Sequence, residues 1–101
     1  MPEVGFNDLP AAEKAYWATQ VTYTSAALFA DPSHYEPWNH NIPCSYIFQT
    51  LDNALPLNLQ QAMAQQLSLA PNPLTATIVA GHCGFLSVPE KLLGALKQVG
   101  A

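Results

Sequence analysis

Two stretches of the chain, and only two, carry the composition of a sheet interior, and a single helical stretch separates them. Residues 44–50 (CSYIFQT) are short and rich in aromatic and β-branched side chains. They are bounded by Pro43 before and Asp52-Asn53 after, which predicts a strand. After the breaker Pro71-Asn72-Pro73, residues 74–80 (LTATIVA) are almost wholly apolar and predict a second strand. Between them PLNLQQAMAQQLS, residues 56–68, places Leu59, Ala62, Met63 and Gln66/Leu67 near helical spacing with glutamines in between, the pattern of an amphipathic helix. A strand, a helix and a strand this close in sequence form one βαβ unit, which the crossover rule makes parallel and right-handed. Near-continuous apolar strands predict a sheet covered on both faces.

The flanks read as helical. Residues 7–30 hold Leu9, Ala12, Ala15 and Tyr16 near helical spacing, with Asp8 as a cap, Pro10 in the first turn and a break near residues 22–24. Asp31-Pro32-Ser33 stops this segment, and an irregular stretch with His34, Tyr35, Trp38 and His40 runs on to Pro43. At the other end Ser87-Val88-Pro89-Glu90 reads as a capping box, Leu92, Leu93 and Leu96 as an apolar stripe, and Gly100 as the stop. The predicted order is α-α-loop-β-α-β-α in an α/β fold of one domain, residues 1–101, with helices and loop over 1–41 and the βαβα unit over 42–101. There is no internal repeat.

Composition narrows the partners. Three lysines against seven acidic residues give a net charge of -4 and no cationic stripe to neutralise phosphates, which argues against nucleic acid. No run approaches the roughly 20 apolar residues of a membrane span. Two cysteines make no disulfide framework and no signal peptide is evident, so the expectation is a reduced, cytoplasmic protein. Only 10% of residues are charged while 50% are apolar, so some apolar surface is expected to face another chain.

In parallel α/β sheets functional groups gather beyond the carboxyl ends of the strands. Asp52 lies there after the first strand and His82 after the second, within Ala80-Gly81-His82-Cys83-Gly84. Neighbouring strands about 4.8 Å apart would bring both side chains to one sheet edge. A carboxylate that accepts from one imidazole nitrogen fixes the tautomer and leaves the other nitrogen to take or give a proton, the acid and base halves of a triad. Read singly, Asp52 is a turn former and His82 fills a loop. No cofactor is implied. The three histidines and two cysteines lack any short metal-ligand spacing, so no metal is expected.

Residues 42–93 resemble the C-terminal end of α/β-hydrolases. IPCSYIFQTLDNALPLNLQQAMAQQ is similar to the acid-bearing strand, loop and helix of that family, and AGHCGFLSVPEKL to its histidine loop and last helix. NDLPAAEKAYWATQVTYTSAALF and YEPWNHNIP are similar to the end of the helical lid in the esterase and lipase-like branch found among fungal hydrolases. The resemblance implies a truncated α/β-hydrolase fold, with Asp52 as triad acid, His82 as triad base, and lid aromatics such as Trp17, Tyr16 and Trp38, with Phe85, lining an apolar substrate pocket. These aromatics serve equally as core. Gly84 stands where the family often has Pro. The larger departure is that no G-x-S-x-G elbow and no upstream strands are present.

Nothing evident replaces the serine. Cys83 adjoins His82, and adjacent side chains diverge; Cys44 opens a strand at the far end of the sheet; Ser25, Ser33 and Ser45 lie in no elbow-like context. Two strands also leave sheet edges open, and the edge at Tyr46, Ile47 and Phe48 is expected to drive homodimerisation, by strand pairing or by lid-helix exchange. Three functions follow as expectations. The first is a nucleophile-free acid-base enzyme for a cyclisation, isomerisation or dehydration of a small apolar metabolite of secondary metabolism. The second is the C-terminal piece of a serine ester hydrolase, inactive without its nucleophile-bearing half. The third is a non-catalytic binding module.

Overall fold

A computed structural model describes residues 2–100. Its sheet has two strands, β1 (Tyr46–Gln49) and β2 (Thr75–Ile78), paired in parallel with Tyr46 opposite Thr75 and Gln49 opposite Ile78. The protein is therefore a small α/β fold, with strands shorter than the apolar runs that contain them. Helix α4 (Leu57–Ala64), continued by a 3₁₀ turn over Gln65–Leu69, makes the crossover. Pro71-Asn72-Pro73 reverses the chain with Asn72 at φ 48°, a left-handed conformation that Asn tolerates better than most residues.

The expected cover on both sheet faces is corrected. Along β2 burial alternates: Ala76 and Ile78 are buried while Thr75 and Thr77 are exposed. On β2 the buried face packs α6 (Pro89–Gln98), whose Ala95 joins Ala76, Ile78 and Ala80 in the core, with Ile47, Val88, Leu92 and Val99 against it, while the residues of β1 are all partly buried. In α6 the small Ala95 is buried while Leu93 and Leu96 of the predicted stripe are exposed, because a close helix-strand approach over Ala76 and Ala80 leaves room for an alanine. Gly100, at φ 92°, ends the helix as predicted.

Two predicted caps are also corrected. Helix α6 follows Val88 and starts on Pro89, with no side-chain cap bond. Ser87 instead donates its hydroxyl to Asp8 Oδ2 at 2.6 Å. Asp8 caps no helix either. The N-terminal segment forms α1 (Pro2–Gly5), which the sequence reading missed, and α2 (Ala11–Gln20), which starts after Pro10 with no side-chain cap. Residues 21–26 are the expected break, wider than predicted, and α3 (Ala27–Ala30) is one turn long. The stretch read as irregular holds a 3₁₀ turn at Pro37–Asn39.

In α4 the side chain that turns inward is polar. Gln60 is 2% exposed, whereas Leu59 and Met63 of the predicted apolar stripe are 46% and 42% exposed. Gln60 Oε1 accepts the Gln49 amide at 2.9 Å, and its Nε2 donates to the Gln49 carbonyl at 2.9 Å and the Leu55 carbonyl at 2.7 Å. The side-chain amide thus replaces a neighbouring strand's peptide group on the outer edge of β1. Gln60 thus covers the outer edge at Gln49, one residue beyond the Tyr46–Phe48 stretch expected to be open.

Candidate active site

Both chain segments leave the sheet at the same end. The β1 exit is continued by Leu51, whose amide bonds to the Ala80 carbonyl at 2.9 Å, so the two loops start side by side. Asp52 then turns inward, because its Oδ1 accepts the amides of Ala54 at 2.8 Å and Leu55 at 2.9 Å, an Asx-type turn within the Asp52-Asn53-Ala54-Leu55 sequence. Gln60 holds the far side of that turn through Leu55.

The histidine loop is gripped at both glycines. Gly81 packs so closely on the N-terminal segment that a Cβ there would collide with Asn7 Oδ1 and come within 2.6 Å of Asp8 Oδ1. Asp8 Oδ2 accepts the Gly81 amide at 2.7 Å, and Asn7 donates to the Leu51 carbonyl at 2.7 Å. The Asn7 side-chain oxygen and Asp8 Oδ1 are buried with no hydrogen-bond partner. Gly84 opens α5 (Gly84–Ser87), and a Cβ on it would strike Gln49 Oε1. The Gln49 side chain donates from Nε2 to the His82 carbonyl at 3.3 Å.

Held in this way, His82 Nδ1 lies 3.0 Å from Asp52 Oδ2 and 3.2 Å from Oδ1. The Asp52 side chain is 3% exposed and that of His82 48%. Burial pushes the Asp52 carboxyl upward, but the bond to His82 and the amides of Leu55 and Ala54 outweigh it, and the group sits below the usual carboxylate range. An ionised carboxylate only accepts, so Nδ1 carries the proton of the neutral imidazole and Nε2 presents a lone pair on the open side. The pair can therefore accept a proton at Nε2 while Asp52 compensates the imidazolium.

Cys83 fares differently. Burial and the carboxylates of Asp52 and Asp8 push its thiol above the ordinary range, so it stays protonated and a poor nucleophile. The hydroxyl of Ser87 is committed to Asp8. Burial and the charge of Asp52 also raise the Tyr46 hydroxyl, which keeps it neutral. Among the described residues no three of His, Cys, Asp and Glu come together to hold a metal ion, and no helix is long and apolar enough to cross a membrane.

The aromatic residues expected to line a pocket are dispersed. Tyr16 is 56% exposed and packs edge-on against Trp17 at 5.0 Å; Phe85 is 60% exposed; Trp38 sits half-buried in its 3₁₀ turn. Two open cavities of about 320 and 360 Å³ flank α6, one beside β2 and one at the helix start, and none of these four aromatics lines them. Sequence reasoning placed Asp52 and His82 but missed Asn7, Gln49 and Gln60 and misassigned Asp8. Apart from the Gln60 bond to Leu55, their bonds connect residues 11 to 79 positions apart. No protein-family model, curated protein or solved structure matches the chain.

Proposed function

We propose that the chain is an acid-base catalyst built on the C-terminal part of an α/β-hydrolase fold, with His82 as the proton-transferring group and Asp52 as its orienting partner. The observation that carries this reading is the Nδ1 to Oδ2 distance of 3.0 Å, made by a buried carboxylate to an imidazole that is half exposed. A purely structural ion pair gains nothing from leaving one nitrogen open. A proton shuttle requires it.

In the proposed reaction Nε2 removes a proton from an acidic C–H of a small apolar substrate. The imidazolium is stabilised by Asp52, and the same proton returns to a different substrate atom, which yields an isomer, or to a leaving hydroxyl, which yields water and an alkene. No covalent intermediate forms. Such catalysis is worth about 10²–10⁴ in rate.

The test is deuterium exchange at the α-carbon of small cyclic ketones and lactones, followed by NMR in heavy water, with an aryl ester as a hydrolysis control. Exchange without ester turnover, abolished in His82→Ala with the fold retained, is the expected result. Exchange at the buffer rate, or unchanged in His82→Ala, overturns the reading. One observation favours a second reading, a serine hydrolase piece whose nucleophile resides on another polypeptide: among the described residues no serine hydroxyl is hydrogen-bonded to His82, and its outer nitrogen is free. Ester hydrolysis gained only on adding a nucleophile-bearing hydrolase half would establish it.

A further inference from the structure

The two outer edges of the sheet differ. On β1 the outward amide and carbonyl of Gln49 are both taken by Gln60. On β2 the carbonyls of Leu74, Ile78 and Ala80 face β1, where they accept from Tyr46, Thr50 and Leu51. Strand alternation therefore turns the amides and carbonyls of Thr75, Thr77 and Val79 outward. Among the described residues neither a strand nor a side chain is bonded to them. The stretch is β-branched at Thr75, Thr77, Ile78 and Val79 and carries neither the lysine nor the proline that commonly blunts an edge.

Beside that edge runs the 320 Å³ groove, walled by Thr77 and Val79 on the strand and by Lys91, Gly94 and Gln98 on α6. A Cβ on Gly94 would meet nothing within 4 Å, so a second backbone or helix can approach there. The surface is also in excess. The chain exposes 7056 Å², against about 5,600 Å² for a compact monomer of its mass. Its radius of gyration is 15.3 Å, against about 13 Å for a compact domain of this length. Part of the excess lies on residues 21–36, all exposed, and the whole is above the roughly 800 Å² that each partner contributes to a standard stable interface.

We infer that the outer edge of β2 is the docking site for a second copy of this chain, joined about a two-fold axis through Thr77 into one four-stranded sheet. A two-fold pairing of identical edges is antiparallel and self-complementary. Thr77 then faces its own copy, Thr75 faces the partner's Val79, and every outward amide of the three residues finds a carbonyl. The two α6 helices meet across the groove at Gly94. The loops carrying Asp52 and His82 leave the carboxyl end of the sheet and point to opposite ends of the dimer, so neither is covered. The inference rests on the sheet and stands or falls independently of the catalytic reading.

Light scattering and sedimentation equilibrium on the whole chain at tens of micromolar test it, with amide exchange by NMR as a site-specific readout. The wild type is expected at twice the 10.9 kDa of one chain, with slow exchange at Thr75, Thr77 and Val79. Gly94→Lys fills the groove without touching the monomer core, and Thr77→Pro removes an edge amide that no bond within the chain uses. Each should give a folded monomer with fast exchange at those amides. Should Thr77→Pro not fold, Gly94→Lys alone decides. A monomeric wild type overturns the inference, as does a dimer that survives Gly94→Lys, or one lost in Phe29→Ser on the exposed arm yet retained in Gly94→Lys.

Discussion

Replacing Gln60 by Leu tests whether this fold is tied by polar contacts more than by its core. The side chain is 2% exposed and makes three hydrogen bonds, two to the backbone of Gln49 and one to that of Leu55. Deleting one partner of a buried hydrogen bond costs about 1–3 kcal/mol. Gln49 is only half-buried, so water reaches part of the vacated backbone and the lower figure applies, giving about 3 kcal/mol for three bonds. Burying the apolar leucine returns about 1 kcal/mol, and the net loss is about 2 kcal/mol. That is a large fraction of the roughly 5–15 kcal/mol of an ordinary domain. In urea, with a slope of about 1–2 kcal/mol per molar, the midpoint should fall by about 1–2 M at unchanged slope. Gln60→Glu sharpens the test. Its carboxylate faces two carbonyls, so its pKa is raised by folding; the variant should be most stable below about pH 4, where the protonated acid still donates, and lose stability as pH rises through the raised value. A Gln60→Leu unfolding free energy within about 0.5 kcal/mol of wild type would refute the reasoning.

The Asp52 carboxyl is depressed in the folded state, so its stabilisation is fully present above about pH 4 and is lost as pH falls through its lowered value. Asp52→Asn should flatten that part of an acid-unfolding profile, cost about 2 kcal/mol at neutral pH and, on the proposed function, slow catalysis by about 10²–10⁴; a profile identical to wild type would contradict the geometry. Gly81→Ala must push back Asn7 and Asp8, and should cost about 1–3 kcal/mol by thermal melting. The Lys14–Glu3 ion pair at 3.0 Å is solvent-facing at Glu3, so Glu3→Gln should change stability by less than about 0.5 kcal/mol in the same assay.

The parts of the molecule legible in its sequence are those written in local pattern. The runs around Tyr46–Gln49 and Thr75–Ile78 are β-branched or aromatic and bounded by turn residues, and the two strands pair in parallel through one helix. Placement beyond the carboxyl ends of those strands was enough to bring Asp52 and His82 together. Local pattern failed where a side chain serves a distant backbone. Asp8 has the look of a helix cap and is a tie to Gly81 and Ser87; Ser87 has the look of a capping box and is its donor. Gln60 occupied a position that helical periodicity assigns to the wet face. Nothing short of the tertiary arrangement marks it as a surrogate strand.

These ties have a consequence for the site itself. The described core is small: Ala76, Ile78, Ala80 and Ala95, three of them alanines, with Leu9, Leu67 and Ala70 buried elsewhere. A core of that size contributes little rigidity, and its apolar side chains offer no group that could hold the Asp52 carboxylate. Rigidity at the His82 loop comes instead from Asp8 on one side and Gln49 on the other, and Gln49 is itself held by Gln60. Gln60 also holds the Asp52 turn through Leu55. One buried amide therefore links the acid loop to the histidine loop through a single intermediate residue. Loss of Gln60 should loosen both halves of the pair together, whereas loss of an apolar contact under α6 should lower stability and leave the 3.0 Å geometry of the surviving folded molecules intact.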